Sequence, residues 1–245
     1  MSGSDAPYRM WNEAQCKMVM DAVYRLLEQT GCAVKNGAAV KLMLAAGCQM
    51  DGDMVKIPRA VLERAIETAP SQIQIYDRDG APAMDLRNGN VYYGPAITTV
   101  FTLDPETGQK RNGTRKDAEN VALVCEAMPN IDYVCALGGI FNGDVNLSDL
   151  YEIQALVKNT RKPIWYWSAG PAHMELEFEM LEAVAGGEQA LRDKPFAIAL
   201  CCPMDPLMHS EDVVEQLLYL AGKKAPVVYI AGIGMGGSGP IFIAG

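Results

Sequence analysis

From residue 130 onward the chain alternates apolar runs of strand length with amphipathic stretches of helical length, and this alternation constrains the fold more than any other feature. The apolar runs are 131–140, 163–169, 196–202 and 226–231, and the helical stretches lie at about 148–159, 173–186 and 210–223. Near-continuous apolar strands separated by helices imply parallel strands covered on both faces. Crossovers between such strands are right-handed. Ser148 and Ser210 stand where the first and third helices would be capped, and the second has no clear start signal. The pattern opens either a (β/α) barrel or a doubly wound sheet. A complete eight-stranded barrel takes about 250 residues, whereas only 130–245 carry the pattern. The expectation is therefore an α/β chain in which 130–245 form about the first half of a TIM (β/α) barrel, four βα units, truncated at its C-terminal end.

Residues 1–129 follow a different grammar, that of an N-terminal helix and hairpin region. Val19, Val23, Leu26 and Leu27 recur at helical spacing before Gly31, and 38–46 repeats the pattern before Gly47. Asp51-Gly52-Asp53 reads as a tight hairpin turn, and Pro58 as the opening of a helix to about Thr68. Ile73 and Ile75 alternate with polar residues as a half-buried strand does. Asp104-Pro105-Glu106-Thr107-Gly108 is a second hairpin turn, and Thr114 with Asp117 three residues later resembles a capping box for a helix to Met128.

Composition narrows the function. Lys and Arg total 21 against 30 Asp and Glu, a formal charge of -9 with no basic stripe, which argues against nucleic-acid or acidic-membrane partners. The seven cysteines are odd in number and sit mostly in apolar segments, as expected for reduced thiols in a cytoplasmic chain. No apolar run reaches the roughly 20 residues of a membrane span.

In a fold of this kind, chemistry gathers where the carboxyl ends of the strands meet their loops. The fourth run ends in a glycine-rich loop in which Gly232, Gly234 and Gly237 match G-x-G-x-x-G. That match follows the wrong strand for a dinucleotide site, and a tight backbone turn explains it as well. Cys201, Cys202 and His209 offer metal-binding atoms, yet neighbouring strand residues face opposite sides and neither C-x-x-C nor H-E-x-x-H occurs, so no metal site is assigned. No nucleophile elbow is present, and Asp205 lies between two prolines either as a strand-end carboxylate or as a turn residue. Tyr92, Tyr93, Phe101, Phe141, Trp165, Trp167 and Tyr229 cluster near strands or strand ends. Aromatic faces beside a carboxylate can hold a quaternary ammonium ion, and ordinary core packing accounts for the same residues.

An ordered series of segments resembles the trimethylamine methyltransferase (MttB-like) superfamily of corrinoid-dependent amine and betaine methyltransferases. It includes Leu26-Leu27-Glu28-Gln29-Thr30-Gly31, Ala45-Ala46-Gly47-Cys48, Thr68-Ala69-Pro70-Ser71, Tyr92-Tyr93-Gly94-Pro95 and Leu103-Asp104-Pro105-Glu106-Thr107-Gly108. Met128-Pro129-Asn130-Ile131-Asp132, Asp149-Leu150-Tyr151-Glu152, Asn159-Thr160-Arg161-Lys162-Pro163 and Pro206-Leu207-Met208-His209-Ser210 continue it over nearly the whole chain. The resemblance implies a TIM-barrel enzyme that moves a methyl group from a methylated amine or betaine to the Co(I) of a separate corrinoid (cobalamin) protein, with no cofactor bound directly. It also implies a parent about twice as long, with the activity impaired in this fragment alone, and a homo-oligomer is expected. A methyl group on a positively charged nitrogen is already activated, so positioning and a desolvated cation site matter more than a general base. By strand-end position, Tyr93, Phe141 and Trp167 are candidate wall residues with Asp205 and His209 as polar neighbours; no catalytic residue is assigned. The alternatives are a non-catalytic half-barrel that assembles with another chain and a zinc-dependent methyltransferase.

Overall fold

Helix α1 (Glu13–Gln29) begins at a capping box in which the Asn12 side chain accepts the Gln15 N–H and the Gln15 side chain accepts the Asn12 N–H, each at 2.9 Å. Two donors that the first turn cannot pair are satisfied reciprocally. The structure, a computed structural model, describes residues 11–87, 89–96, 99–203, 207–232, 234, 236, 237 and 239. After α1, Gly31 takes φ +79°, and a Cβ there would lie 2.4 Å from the Val55 carbonyl oxygen, so both conformation and space require glycine. Strand β1 (Cys32–Val34) leads to α2 (Gly37–Ala45), whose first N–H groups bond to the Asn36 side chain. Strands β2 (Gln49–Asp51) and β3 (Met54–Lys56) form the expected antiparallel hairpin, with Gly52 at φ +59° in the turn. Helix α3 (Arg59–Thr68) starts directly after Pro58.

Strands β4 (Gln72–Tyr76) and β5 (Pro82–Arg87) pair antiparallel, as do β6 (Thr102–Leu103) and β7 (Lys110–Arg111) across the Asp104–Gly108 turn. Helix α4 (Arg115–Ala127) carries the Thr114/Asp117 capping box. The next elements are α5 (Ser148–Asn159), β8 (Ile164–Trp167), α6 (Pro171–Ala185), α7 (Glu188–Asp193), β9 (Ala197–Cys201), β10 (Met208–His209), α8 (Glu211–Lys223) and β11 (Val227–Tyr229).

Two compact units emerge. The first comprises the described residues within Met1–Ser71, Cys202–Leu218 and Tyr229–Gly245, and contains a four-stranded sheet of order β10-β1-β3-β2. Its β1–β10 pairing is parallel, Ala33 opposite Met208 and Val34 opposite His209. The second comprises Gln72–Cys201 and Tyr219–Val228 and holds the sheet β11-β9-β8, in which β8 and β9 run parallel from Ile164/Ala197 to Trp167/Leu200. The core of this second unit includes Ile75, Met84 and Ile198, with Tyr133 and Trp165 packed against them at a ring separation of 4.7 Å.

Three local expectations change. Residues 131–140 do not form a continuous strand; Val134 bridges Ile164 in parallel and Gly138 bridges Thr99. The reason lies in where other backbone donors of the segment go, since the Asp132 N–H bonds to the Tyr93 carbonyl at 2.7 Å and the Ile140 N–H to Ser148 Oγ at 2.8 Å. Ser148 is not a cap but the first residue of α5, because a 3₁₀ turn (Val145–Leu147), itself capped by Asp144, feeds directly into the helix. The missing start signal of α6 is Pro171 at its first turn, where proline has no hydrogen bond to lose.

Candidate functional site

In the second unit, α5 and α6 carry acidic residues on the same stripes as their buried apolar ones. In α5 these are Asp149 and Glu152 with Ile153, Leu156 and Val157; in α6, Glu177 with Met174, Phe178 and Leu181. Helical spacing of three and four forces the carboxyl groups inward with the hydrophobic face. Asp149 is 3%, Glu152 4% and Glu177 0% exposed. Between the two helices β8 ends at Trp167 and continues into Ser168 and Ala169, so the acids gather at the carboxyl end of a parallel strand.

Each acid is held differently. Asp149 accepts the Ala169 N–H at 2.7 Å and the Leu150 N–H at 3.0 Å, and both of its oxygens lie 2.9 Å from His173 Nδ1. A carboxylate only accepts, so Nδ1 carries the hydrogen. Glu152 accepts the Trp167 indole N–H at 3.0 Å and the Ser148 hydroxyl at 3.2 Å. Burial nevertheless pushes its ionisation up to about 7, with the Asp149 charge adding to the effect and the two hydrogen bonds opposing it. Glu177 makes no hydrogen bond of good geometry through either oxygen. Burial, reinforced by the charge on Asp149, pushes it up to about 9, so near neutral pH it is a neutral acid beside the hydrogen-bonded Asp149–His173 pair. Tyr166, fully buried on β8, has its hydroxyl directed at Met174 Sδ, 3.6 Å away, and desolvation raises its ionisation as well. Asp149, Glu152, Trp165 and Trp167 line a cavity of about 10 Å³, room for about one water molecule.

Of the five residues expected from sequence, Trp167 is the one whose side chain is tied to these acids. Tyr93 belongs to the same unit but its side chain is largely exposed, and its backbone N–H bonds to the Asp132 carboxylate. Phe141 is also exposed, its ring beside Gly139. Asp205 lies outside the described residues. His209 belongs to the first unit, where Nδ1 lies 2.5 Å from the Tyr229 hydroxyl and burial lowers its pKa. Phe101, another member of the aromatic series, has the Lys110 ammonium 3.4 Å from its ring centroid. Cys201 is buried and Cys202 exposed, the opposed facing that strand alternation requires. Among the described residues no three of His, Cys, Asp and Glu are placed to hold a metal ion, and none of the cysteines is in a disulfide. In the glycine-rich loop the N–H groups of Gly236, Gly237 and Gly239 bond to loop carbonyls, forming a tight turn.

The residues missed from sequence are Asp149, Glu152, His173 and Glu177. Their signal was present: ionisable side chains occupying apolar-stripe positions of two helices that flank one strand end.

A family model described as trimethylamine methyltransferase (MTTB) matches residues 1–245. Trimethylamine methyltransferase MttB of Desulfitobacterium hafniense is 29% identical over 192 residues, covering 76% of this chain and 37% of that protein. Trimethylamine methyltransferase MttB2 of Methanosarcina mazei is 27% identical over 200 residues, covering 78% of this chain and 40% of that protein. A glycine betaine methyltransferase of Desulfitobacterium hafniense is 22% identical over 201 residues, 80% of this chain and 41% of that protein. The chain thus spans about two fifths of the length of the curated relatives it matches.

Proposed function

The chain belongs to the trimethylamine methyltransferase family, and from that premise we propose that the protein carrying it moves a methyl group from a methylated amine or a betaine-type quaternary amine to the Co(I) of a separate corrinoid protein. The observation that carries this reading is the family match across residues 1–245. The relatives named for trimethylamine and for glycine betaine act on substrates that share one chemical feature, a methyl group on nitrogen. On this reading 130–245 is the front half of a TIM barrel, and the acids at the carboxyl end of β8 lie where such folds place their chemistry.

The buried acids suit the electrostatics of this transfer. When a methyl group leaves a positively charged nitrogen, the positive charge on that nitrogen disappears in the transition state. A fixed negative charge close by would resist that loss, so a well-matched site combines aromatic walls with acids that are largely neutral at working pH. Glu177 has that character, Glu152 has it in part, and Trp167 is the wall residue bonded to Glu152. Corrinoid is the acceptor substrate and brings the nucleophilic metal; this chain's own residues bind, orient and exclude water.

The test incubates the purified full-length protein that carries this chain with a Co(I) corrinoid protein and a panel of methylated and quaternary amines, following loss of the Co(I) absorbance. Turnover with at least one of them is expected, and failure with every one overturns the reading.

A further inference from the structure

We propose that the outward face of helix α1 is a docking surface for a second copy of this chain, the two α1 helices lying antiparallel about a two-fold axis near Ala22. The starting observation is that none of the 17 residues of α1 is buried. Contacts that fasten it within the first unit involve Asp21, Tyr24 and Leu27. The Arg59 guanidinium of α3 lies 4.4 Å from the Tyr24 ring centroid and 3.0 Å from the Asp21 carboxylate, and the Ile57 N–H bonds to the Leu27 carbonyl at 2.9 Å. Away from those contacts Met18, Val19 and Leu26 are 64%, 40% and 44% exposed, and Ala22 is exposed between them. A helix in a protein gains most of its stability by packing an apolar stripe, less by its own hydrogen bonds. A bare stripe at i, i+1, i+4 and i+8 therefore marks a face that a partner covers.

Charge order selects the occupant. Along one flank of the stripe run Lys17, Asp21, Arg25 and Glu28, at helical spacings of four, four and three, so they share one side of the helix and alternate in sign. With Met18 they line a groove that also includes Arg59. Among the described residues Lys17, Arg25 and Glu28 form no ion pair, and Asp21 uses one oxygen on Arg59. The row reads plus, minus, plus, minus, and an antiparallel copy presents minus, plus, minus, plus. Lys17 then meets Glu28 of the second copy, Asp21 meets Arg25 of the second copy, and the two-fold repeats both contacts. A partner of a single charge sign would meet its own sign at every second position. The midpoints of both pairs fall at residues 22–23. The same axis sets Val19 against Leu26 of the second copy and Ala22 against its own counterpart, where a small side chain lets the helices approach closely. Burial of the stripe supplies the affinity, and the exposed ion pairs fix orientation and register.

The test measures mass by light scattering over a concentration series of the full-length protein that carries this chain. Wild type, Lys17→Glu and Glu28→Lys are run separately, and the two variants are then mixed in equal amounts. Alone, each exchange sets like charges against each other at both outer contacts. Self-association is expected to weaken about 10-fold, since the two-fold counts each exchange twice and turns attraction into repulsion. In the mixture each variant complements the other at both outer contacts, and association is expected to return to the wild-type level. Neither exchange opposes the helix dipole, one adding an acid in the N-terminal half and the other a base in the last turn, so loss of the helix does not account for weaker assembly. A monomeric wild type overturns the proposal. So do single variants that associate as wild type does, the result if another part of the full-length protein covers α1. A mixture as weak as its two components overturns the antiparallel pairing and the proposal with it.

Discussion

Replacing Glu177 by glutamine should change how stability depends on pH more than it changes stability at any one pH. Glu177 goes from an ordinary carboxyl value of 4.5 to about 9 on folding. A raised acid contributes stability that is fully present below its unfolded value and is lost as pH rises through its folded value. Between about 4.5 and 9 the folded chain holds a proton that the unfolded chain lacks, so unfolding free energy falls by about 1.4 kcal/mol per pH unit. Glu152, raised from 4.5 to about 7, adds a similar slope that ends near neutrality. From pH 6 to 8 the two proteins should therefore diverge by about 3 kcal/mol in favour of Glu177→Gln, contributions common to both cancelling in the difference. Above pH 7 the curve of Glu177→Gln should flatten while wild type continues downward. Urea unfolding at pH 6, 7 and 8, followed by the fluorescence of Trp165 and Trp167, both in the second unit, measures this. Parallel curves for the two proteins across that range would refute the assignment of Glu177 as a buried neutral acid.

Trp167→Phe removes the indole N–H that Glu152 accepts, so the Glu152 ionisation should rise above about 7 in a carbon-13 carboxyl titration; an unchanged midpoint contradicts the contact. Arg111 bridges Asp104 and Asp117 at 3.0 and 2.7 Å; the Thr107 N–H and then Arg111 hold the Asp104 carboxyl at about 2, and Arg111 holds Asp117 well below the ordinary range. Their contribution is fully present above about pH 4 and falls away as pH drops through the folded values, so Arg111→Ala should lower the melting temperature more at pH 7 than at pH 2.5, where part of it remains. An equal loss at both pH values would count against the ion cluster. Gly31→Ala places a Cβ 2.4 Å from the Val55 carbonyl oxygen at φ +79°, and backbone strain alone should cost about 1–3 kcal/mol; denaturant midpoints within error of wild type would show that the turn relaxes freely.

What the sequence disclosed, and what it hid, follows from the range of the forces involved. The turns and caps at Gly31, Gly52, Asp104–Gly108 and Thr114 are settled by residues within three or four positions and were read locally, whereas the Asn12 capping box, equally local, was not. Helices α5, α6 and α8 and strands β8, β9 and β11 follow from apolar periodicity, which needs only a window of one element. The segment 131–140 departs from its apolar pattern because that pattern says nothing about which partners its N–H groups will find, and Tyr93, before it, and Ser148, after it, take two of them. The family resemblance was legible because it is a property of ordered segments, independent of where side chains point.

The site was hidden for the opposite reason. Asp149, Glu152, His173 and Glu177 come from two helices and meet only after both pack beside β8, yet each carried a local sign that periodicity treats as noise. An acid on an apolar stripe costs several kcal/mol if buried charged and unpaired. A chain that keeps such acids must either turn the helix, pair the charge, or hold the acid neutral. Here the helices do not turn, because Ile153, Leu156, Met174, Phe178 and Leu181 fix their inward faces. Asp149 is paired, Glu152 is hydrogen-bonded and half neutralised, and Glu177 is neutralised outright. Three acids within one packed layer thus take three different resolutions of the same penalty, and the difference between them is what lets a single strand end offer an oriented histidine next to protonated neighbours. An acid on a helix's buried stripe is therefore a sharper pointer to this site than the aromatic residues, whose core-packing and cation-binding roles look alike in sequence.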